Sequence, residues 1–173
     1  MRPMRAIRDA FGDQVEIMLD GDDSSTACRS ASQRPCEIDP SSWKMSSGRT
    51  GVDTIADFRR QAEVPLAVSE MMIGMEDYRL VLEKHAMDYI MIDPTWVGGI
   101  SQTRRICDSV QSYNVPVVMH DCTGPLTLLS ECNAATARTN VAWQETVRSQ
   151  IRMLYPKLIA GTIQAEAGTG ACL

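Results

Sequence analysis

Short apolar runs that each end in an acid or a histidine recur along the chain, and this recurrence constrains the fold more than any single motif. Glu-Ile-Met-Leu-Asp ends at Asp20, Pro-Leu-Ala-Val-Ser-Glu at Glu70, Tyr-Ile-Met-Ile-Asp at Asp93 and Val-Ala-Trp-Gln-Glu at Glu145. A fifth run, Val-Pro-Val-Val-Met, delivers His120 and Asp121 before it breaks at Gly124-Pro125. Runs this short, without polar alternation, read as strands buried on both faces, the habit of parallel sheets. The polar ends fall at 20, 70, 93, 120 and 145, in steps of 50, 23, 27 and 25 residues. The shorter steps fit one strand and its helix, so the step of 50 fits two such units with a middle strand end expected near position 45. A (β/α) barrel gathers the C-terminal ends of its strands at one mouth, where titratable side chains do chemistry. The competing architecture is a doubly wound sheet with unrelated acidic loop starts. Taken alone, His120 at a strand end also fits a purely structural histidine.

The chain has 173 residues, enough for one domain with a real core but short of the about 250 of a whole barrel. The expectation is an α/β partial TIM-type (β/α) barrel over 1–160 and a loose tail over 161–173. A formal net charge of −5 argues against nucleic acid or an anionic membrane surface as partner. No apolar run approaches the length of a membrane span. Met1-Arg2-Pro3-Met4-Arg5 leads into a polar amphipathic stretch rather than the apolar core of a signal peptide. The six cysteines show no C-x-x-C pair and no zinc spacing. They read as free thiols of a reducing cytoplasm.

Periodicity and punctuation predict helices over Pro3–Phe11, Val52–Ala62, Met75–His85, from Ser101 as cap to Ser112, after Pro125, and from Thr146 to about Tyr155. Strands are expected over Val15–Leu19, Pro65–Ser69, Tyr89–Ile92, Val115–Met119 and Val141–Trp143. Tyr78, Val81 and Leu82 should share the apolar side of their helix, and His85 should face solvent. Gly21–Thr50 does not fit: it holds eight serines and only Ile38, Trp43 and Met45 from the large apolar set. It reads as a flexible insertion that cannot supply the missing helix or strand. A displaced reading frame is the other account. A one-base shift over Trp43–Thr50 permits Met-Glu-Asp-Val-Leu-Arg-Thr, an acid-ended strand, and similar shifts over Ser24–Cys36 and Ser130–Asn133 restore helical patterns.

The residues Ala6–Asp20, Pro65–Glu70, Asp88–Ile100 with Asp-Pro-Thr-Trp-Val-Gly-Gly-Ile, Val115–Pro125 and Trp143–Thr146 together resemble the enolase superfamily, in its mandelate racemase and sugar-acid dehydratase branch. The resemblance implies a barrel running from about the third strand to the eighth, beginning after the N-terminal capping domain and the first two strands. It implies Mg²⁺ as cofactor, with Asp20 and Glu70 as two of three metal ligands. The third should be a Glu ending the strand between them, where this chain has Trp43-Lys44. It implies His120 as general base, Asp93 as the partner that orients its imidazole, and Glu145 as a contact of the substrate carboxylate. The implied reaction is removal of the proton α to a carboxylate, in dehydration of a sugar acid, with racemisation of a 2-hydroxy acid or a non-catalytic remnant as alternatives. Partners would be the small hydroxy-acid or sugar-acid substrate and, in full-length relatives, further copies of the protein.

These residue types suit that chemistry. Proton loss next to a carboxylate builds negative charge on two oxygens, which a hard cation held by carboxylates offsets. A histidine near neutral pKa takes the proton, and an adjacent carboxylate fixes its tautomer. Simpler roles remain open: Asp93 can cap the turn at Pro94, and Glu145 can be a solvated charge at a helix start.

Overall fold

The computed structural model describes residues 2–21, 40–45, 51–68 and 70–160. Six strands form one sheet: β1 (Met18–Gly21), β2 (Ser42–Met45), β3 (Leu66–Val68), β4 (Tyr89–Ile92), β5 (Val117–Met119) and β6 (Val141–Gln144). Each strand pairs in parallel with the next, in the order β1-β2-β3-β4-β5-β6. A doubly wound sheet reverses its strand order at a switch point. Here the order never reverses, so the architecture is the expected partial (β/α) barrel. Among the described residues β1 and β6 stand at the ends of the sheet. The helices are α1 (Arg2–Phe11), α2 (Val52–Gln61), α3 (Met75–Glu83), the short α4 (Pro94–Val97), α5 (Ile100–Gln111), α6 (Pro125–Thr136) and α7 (Tyr155–Leu158), the last entered through a π-helical turn at Gln150–Leu154.

Strand alternation explains the continuous apolar runs, because both faces of the sheet are covered. Leu66, Val68, Ile90, Ile92, Val117 and Met119 point to the helices and pack with Ile55, Tyr78, Val81, Leu82, Ile106 and Val110 in the main core. The intervening Ala67, Met91 and Val118 face the concave side, with Tyr89 and Trp143 against them. Those two rings meet edge to face, with centroids 4.7 Å apart. The concave side holds a cavity of about 300 Å³, bordered by Leu19, Lys44, Met91, Val118 and Glu145.

Four expectations need correction. The Ser-rich segment does supply a strand: Ser42–Met45 registers against Met18–Gly21 on one side and Leu66–Val68 on the other. Trp43 packs toward Ile17 and Leu19, and its N–H donates to the carbonyl of Pro65 at 2.8 Å. Strand formation follows packing and neighbours more than composition, so two flanking strands impose a ladder on a polar sequence. The remaining expectations for 22–39, 46–50 and the 161–173 tail lie outside the described residues. The first strand begins at Met18 instead of Val15, because a 3₁₀ turn occupies Gly12–Gln14 and the Arg8 guanidinium ties the carbonyls of Gly12 and Val15 at 2.7 and 2.9 Å. Ser101 does not cap its helix. Gly98 and Gly99, with φ of 96° and 100°, turn the chain so that the helix starts at Ile100 with Gly99 in the capping position. Finally, Cys107 and Cys122 are free thiols as read, but Cys132 is disulfide-bonded.

The apolar face of Tyr78, Val81 and Leu82 is buried as expected, and His85 is exposed. Ile90 is fully buried on a central strand and Ile100 is 55% exposed. Ile90→Ala is expected to lower the unfolding free energy by about 2–5 kcal/mol, while Ile100→Ala changes it by less than about 0.5 kcal/mol. Urea denaturation of the two variants checks the assignment of the core.

Candidate functional site

Adjacent parallel strands bring His120 and Asp93 together. Asp93 follows β4 and His120 follows β5, and the His120 N–H donates to the Ile92 carbonyl at 3.0 Å, which extends the ladder by one step. Their side chains meet with Nδ1 to Oδ2 at 3.1 Å, and both residues are buried. Asp93 also accepts from the Thr123 hydroxyl at 2.6 Å and from the Thr95 N–H at 2.7 Å. The last bond caps the turn at Pro94, so the capping and orienting roles coexist in one carboxylate. Burial alone would push the Asp93 carboxyl up. The bonds from His120, Thr123 and Thr95 outweigh it and hold the group below its ordinary value, ionised and acceptor-only. With Oδ2 accepting, Nδ1 carries the ring proton and Nε2 is left with a lone pair. Nε2 lies 3.5 Å from the Cys122 sulfur and 3.8 Å from Glu145 Oε2. Glu145 follows β6, its N–H donating to the Met119 carbonyl at 2.8 Å.

The acids at the other strand ends converge on Lys44. Lys44 stands opposite Asp20 in the β1–β2 register. Its Nζ lies 3.4 Å from Asp20 Oδ2 and donates to both oxygens of Glu145, at 3.2 and 3.4 Å. Burial would lower the Lys44 pKa, but the charges of Glu145, Asp20 and Glu70 overcome it and raise the pKa above its ordinary value. The side chain is therefore an ammonium. Glu70 is buried beyond the end of β3, and its Oε2 has no hydrogen-bond partner among the described residues. The structure thus brings His120, Asp93 and Glu145 into one contact set and links Asp20 to Glu145 through Lys44.

A Mg²⁺ ion does not fit this arrangement. It demands oxygen ligands at about 2.0–2.1 Å in octahedral geometry, and here an ammonium stands against two of the carboxylates. Among the described residues no group of three His, Cys, Asp or Glu is placed to hold a metal. Asp20 and Glu70 keep the donor chemistry that the sequence resemblance implies, and Lys44 bridges Asp20 to Glu145.

Sequence reasoning missed three supporting groups. Asp121 sits next to His120 in the run that delivers it. It is buried, accepts from the Tyr155 hydroxyl at 3.1 Å, and is pushed above its ordinary pKa by burial. Tyr155 closes the helical turn, its hydroxyl 2.7 Å from Gln150 Oε1. Glu131 on α6 is fully buried and accepts from Gln144 Nε2 at 2.7 Å, beside Glu145. Glu131 Oε1 and Gln144 Oε1 both lack partners among the described residues. The signal for Glu131 was its spacing, since it shares the face of Leu128 and Cys132, both buried.

A profile of the family described as Enolase C-terminal domain-like matches residues 1–171. D-xylonate dehydratase of Haloferax volcanii is 29% identical over 140 residues, which cover 79% of this chain and 34% of that protein. Arabinonate dehydratase of Saccharolobus solfataricus is 24% identical over 167 residues, 95% of this chain and 44% of that protein. An enolase protein from the Sargasso Sea environmental genome superposes with a TM-score of 0.76 at 27% identity, over 86% of this chain and 41% of that one. A mandelate racemase subgroup enolase from Agrobacterium tumefaciens shares the fold with a TM-score of 0.82 at 23% identity, over 95% of this chain and 46% of its own. The chain therefore spans between a third and a half of the length of these curated relatives.

Burial pushes the Glu131 carboxyl up to about 9 from an ordinary 4.5. An acid with a raised folded pKa keeps its proton in the fold and releases it on unfolding. Its contribution is therefore lost progressively as pH rises from the unfolded value to the folded one. At pH 7 the penalty is roughly 3 kcal/mol. Glu131→Gln keeps the shape and the bond to Gln144, and is expected to raise the melting temperature at pH 7–8 and flatten its decline across that window. Thermal melts from pH 5 to 9 check this; an unchanged slope in the variant would mean that Glu131 is ionised in the fold.

Proposed function

From the premise that the chain belongs to the Enolase C-terminal domain-like family, we propose that it carries the base side of a site that removes the proton α to a carboxylate, in dehydration of a sugar acid. The observation that carries this reading is the buried His120–Asp93 pair at adjacent strand ends, with Nε2 left as the accepting nitrogen. His120 Nε2 takes the α-proton, and the C–H electron pair moves into an enediolate. Asp93 is a positioning residue: it holds the Nδ1 proton and opposes the charge of the imidazolium that forms. Collapse of the enediolate expels the β-hydroxyl, which leaves as water once an acid protonates it. Glu145, 3.8 Å from Nε2, borders the same space and contacts the substrate. The names of the relatives support a sugar acid as the substrate class.

The Mg²⁺ of the resemblance, with Asp20 and Glu70 as its ligands, would offset the enediolate charge. The Lys44 ammonium stands against Asp20 and Glu145, so no step is derived through that ion. The same observation favours a second reading, a non-catalytic remnant of the fold. The primary reading carries with it a cytoplasmic location, a small-molecule substrate rather than nucleic acid or membrane, and a homo-oligomer at full length. Among the described residues no helix is long and apolar enough to cross a membrane.

Exchange of the substrate α-proton with deuterated solvent, followed by proton NMR, tests the reading in the chain joined to the remaining segments of a relative's barrel. His120→Asn is expected to stop the exchange. Asp93→Asn should slow it by about 10²-fold or more, and the double variant should be little worse than His120→Asn alone, because the pair acts as a unit. Undiminished exchange in His120→Asn would place the base elsewhere and bring the racemase alternative forward. No exchange in the unaltered chain would favour the remnant.

A further inference from the structure

We infer that the Lys44 ammonium is the resident cation of the Asp20–Glu70–Glu145 ring and closes that ring to divalent metal. The inference rests on reading this side of the mouth as the cation side of the site. Three observations support it independently of any metal-bound relative.

Lys44 cannot be regarded as a surface residue that happens to reach inward. It lies on β2, with β1 and β3 paired on either side, directly opposite Asp20 in register. Its side chain is only 13% exposed and spans from Asp20 to both oxygens of Glu145. A divalent ion between the same carboxylates would face a fixed positive charge within a few ångströms. At that separation, and at the effective dielectric of a protein site, the repulsion opposes entry of the ion. For the ion to enter, Lys44 would have to leave a pocket in which its charge is compensated.

Ligand supply gives the second support. Lys44 engages Asp20 and Glu145 and leaves Glu70 Oε2 buried without a hydrogen-bond partner among the described residues. Within this ring a divalent ion would find that one unengaged buried oxygen, where it takes six. The third support is the identity of the position. The spacing of the other polar ends expects a strand-end acid near position 45, and a one-base shift over Trp43–Thr50 permits Glu in place of Lys44. A single substitution, Lys44→Glu, thus exchanges the built-in cation for a ligand.

Mn²⁺ titration followed by the electron paramagnetic resonance of the free ion tests this on the 173-residue chain, with far-UV circular dichroism to establish folding. The unaltered chain is expected to leave the Mn²⁺ signal undiminished. Lys44→Glu should take up one Mn²⁺ per chain with affinity at least about a hundredfold higher, and adding Asp20→Asn should abolish that uptake. Lys44→Gln, which removes the charge without supplying a ligand, should give a smaller gain and decides the question if Lys44→Glu does not fold. Uptake by the unaltered chain that is lost in Asp20→Asn would overturn the inference, as would a folded Lys44→Glu that takes up none. The readout involves no proton abstraction, so the occupant of the ring and the role of His120 can fail separately.

Discussion

A parallel ladder has a direction, and six strands paired in chain order all point it the same way. Whatever residue follows the last paired position of each strand is delivered to one rim, so proximity at the rim is a consequence of backbone pairing alone. Asp93 and His120 meet because β4 and β5 are neighbours in register, and the His120 N–H still belongs to the ladder. Glu145 joins them one strand further on, and Asp20 and Lys44 face each other from the first two strands. The helices on the outer face and the Ala67–Met91–Val118 layer on the concave face hold these strands in place.

Much of the fold was legible because burial on both faces leaves a simple mark, an apolar run closed by a polar residue. Tyr89–Ile92 with Asp93, and the run ending at Met119 with His120, could be placed from sequence to within a residue or two of their observed bounds. The amphipathic face of Tyr78, Val81 and Leu82 was equally plain. β2 was not legible. Ser42-Trp43-Lys44-Met45 has neither a long apolar run nor strong alternation, and its neighbours on both sides make it a strand. The error had a consequence at the site, because setting the segment aside also set aside Lys44. Glu131 drew no reading as a site residue, since Ser130–Asn133 was singled out only because a shifted frame is permitted there; the fold buries it beside Gln144, and burial pushes its carboxyl up.

Two kinds of electrostatic device stand side by side at the rim. In the first, Asp93 has three donors and no remaining demand, and so serves to fix His120. In the second, Lys44 engages Asp20 and Glu145 and leaves Glu70 Oε2 without a hydrogen-bond partner among the described residues. The first device suits a proton acceptor that must present one nitrogen to a ligand. The second sets the charge near that nitrogen, and the contact between Glu145 and both Lys44 and the edge of His120 couples them. A change at Lys44 therefore alters the surroundings of His120 without touching it.

The central claim is that Asp93 holds the His120 proton on Nδ1 and leaves Nε2 open toward the mouth of the half-barrel. Nitrogen-15 NMR of the imidazole rings measures this directly, since the chain has only two histidines and His85 is exposed. With the ring neutral, His120 is expected to show a protonated Nδ1 and an unprotonated Nε2, and Asp93→Asn should collapse that preference toward the solvent-exposed pattern of His85. A His120 ring protonated mainly at Nε2, or a tautomer indifferent to Asp93→Asn, would contradict it.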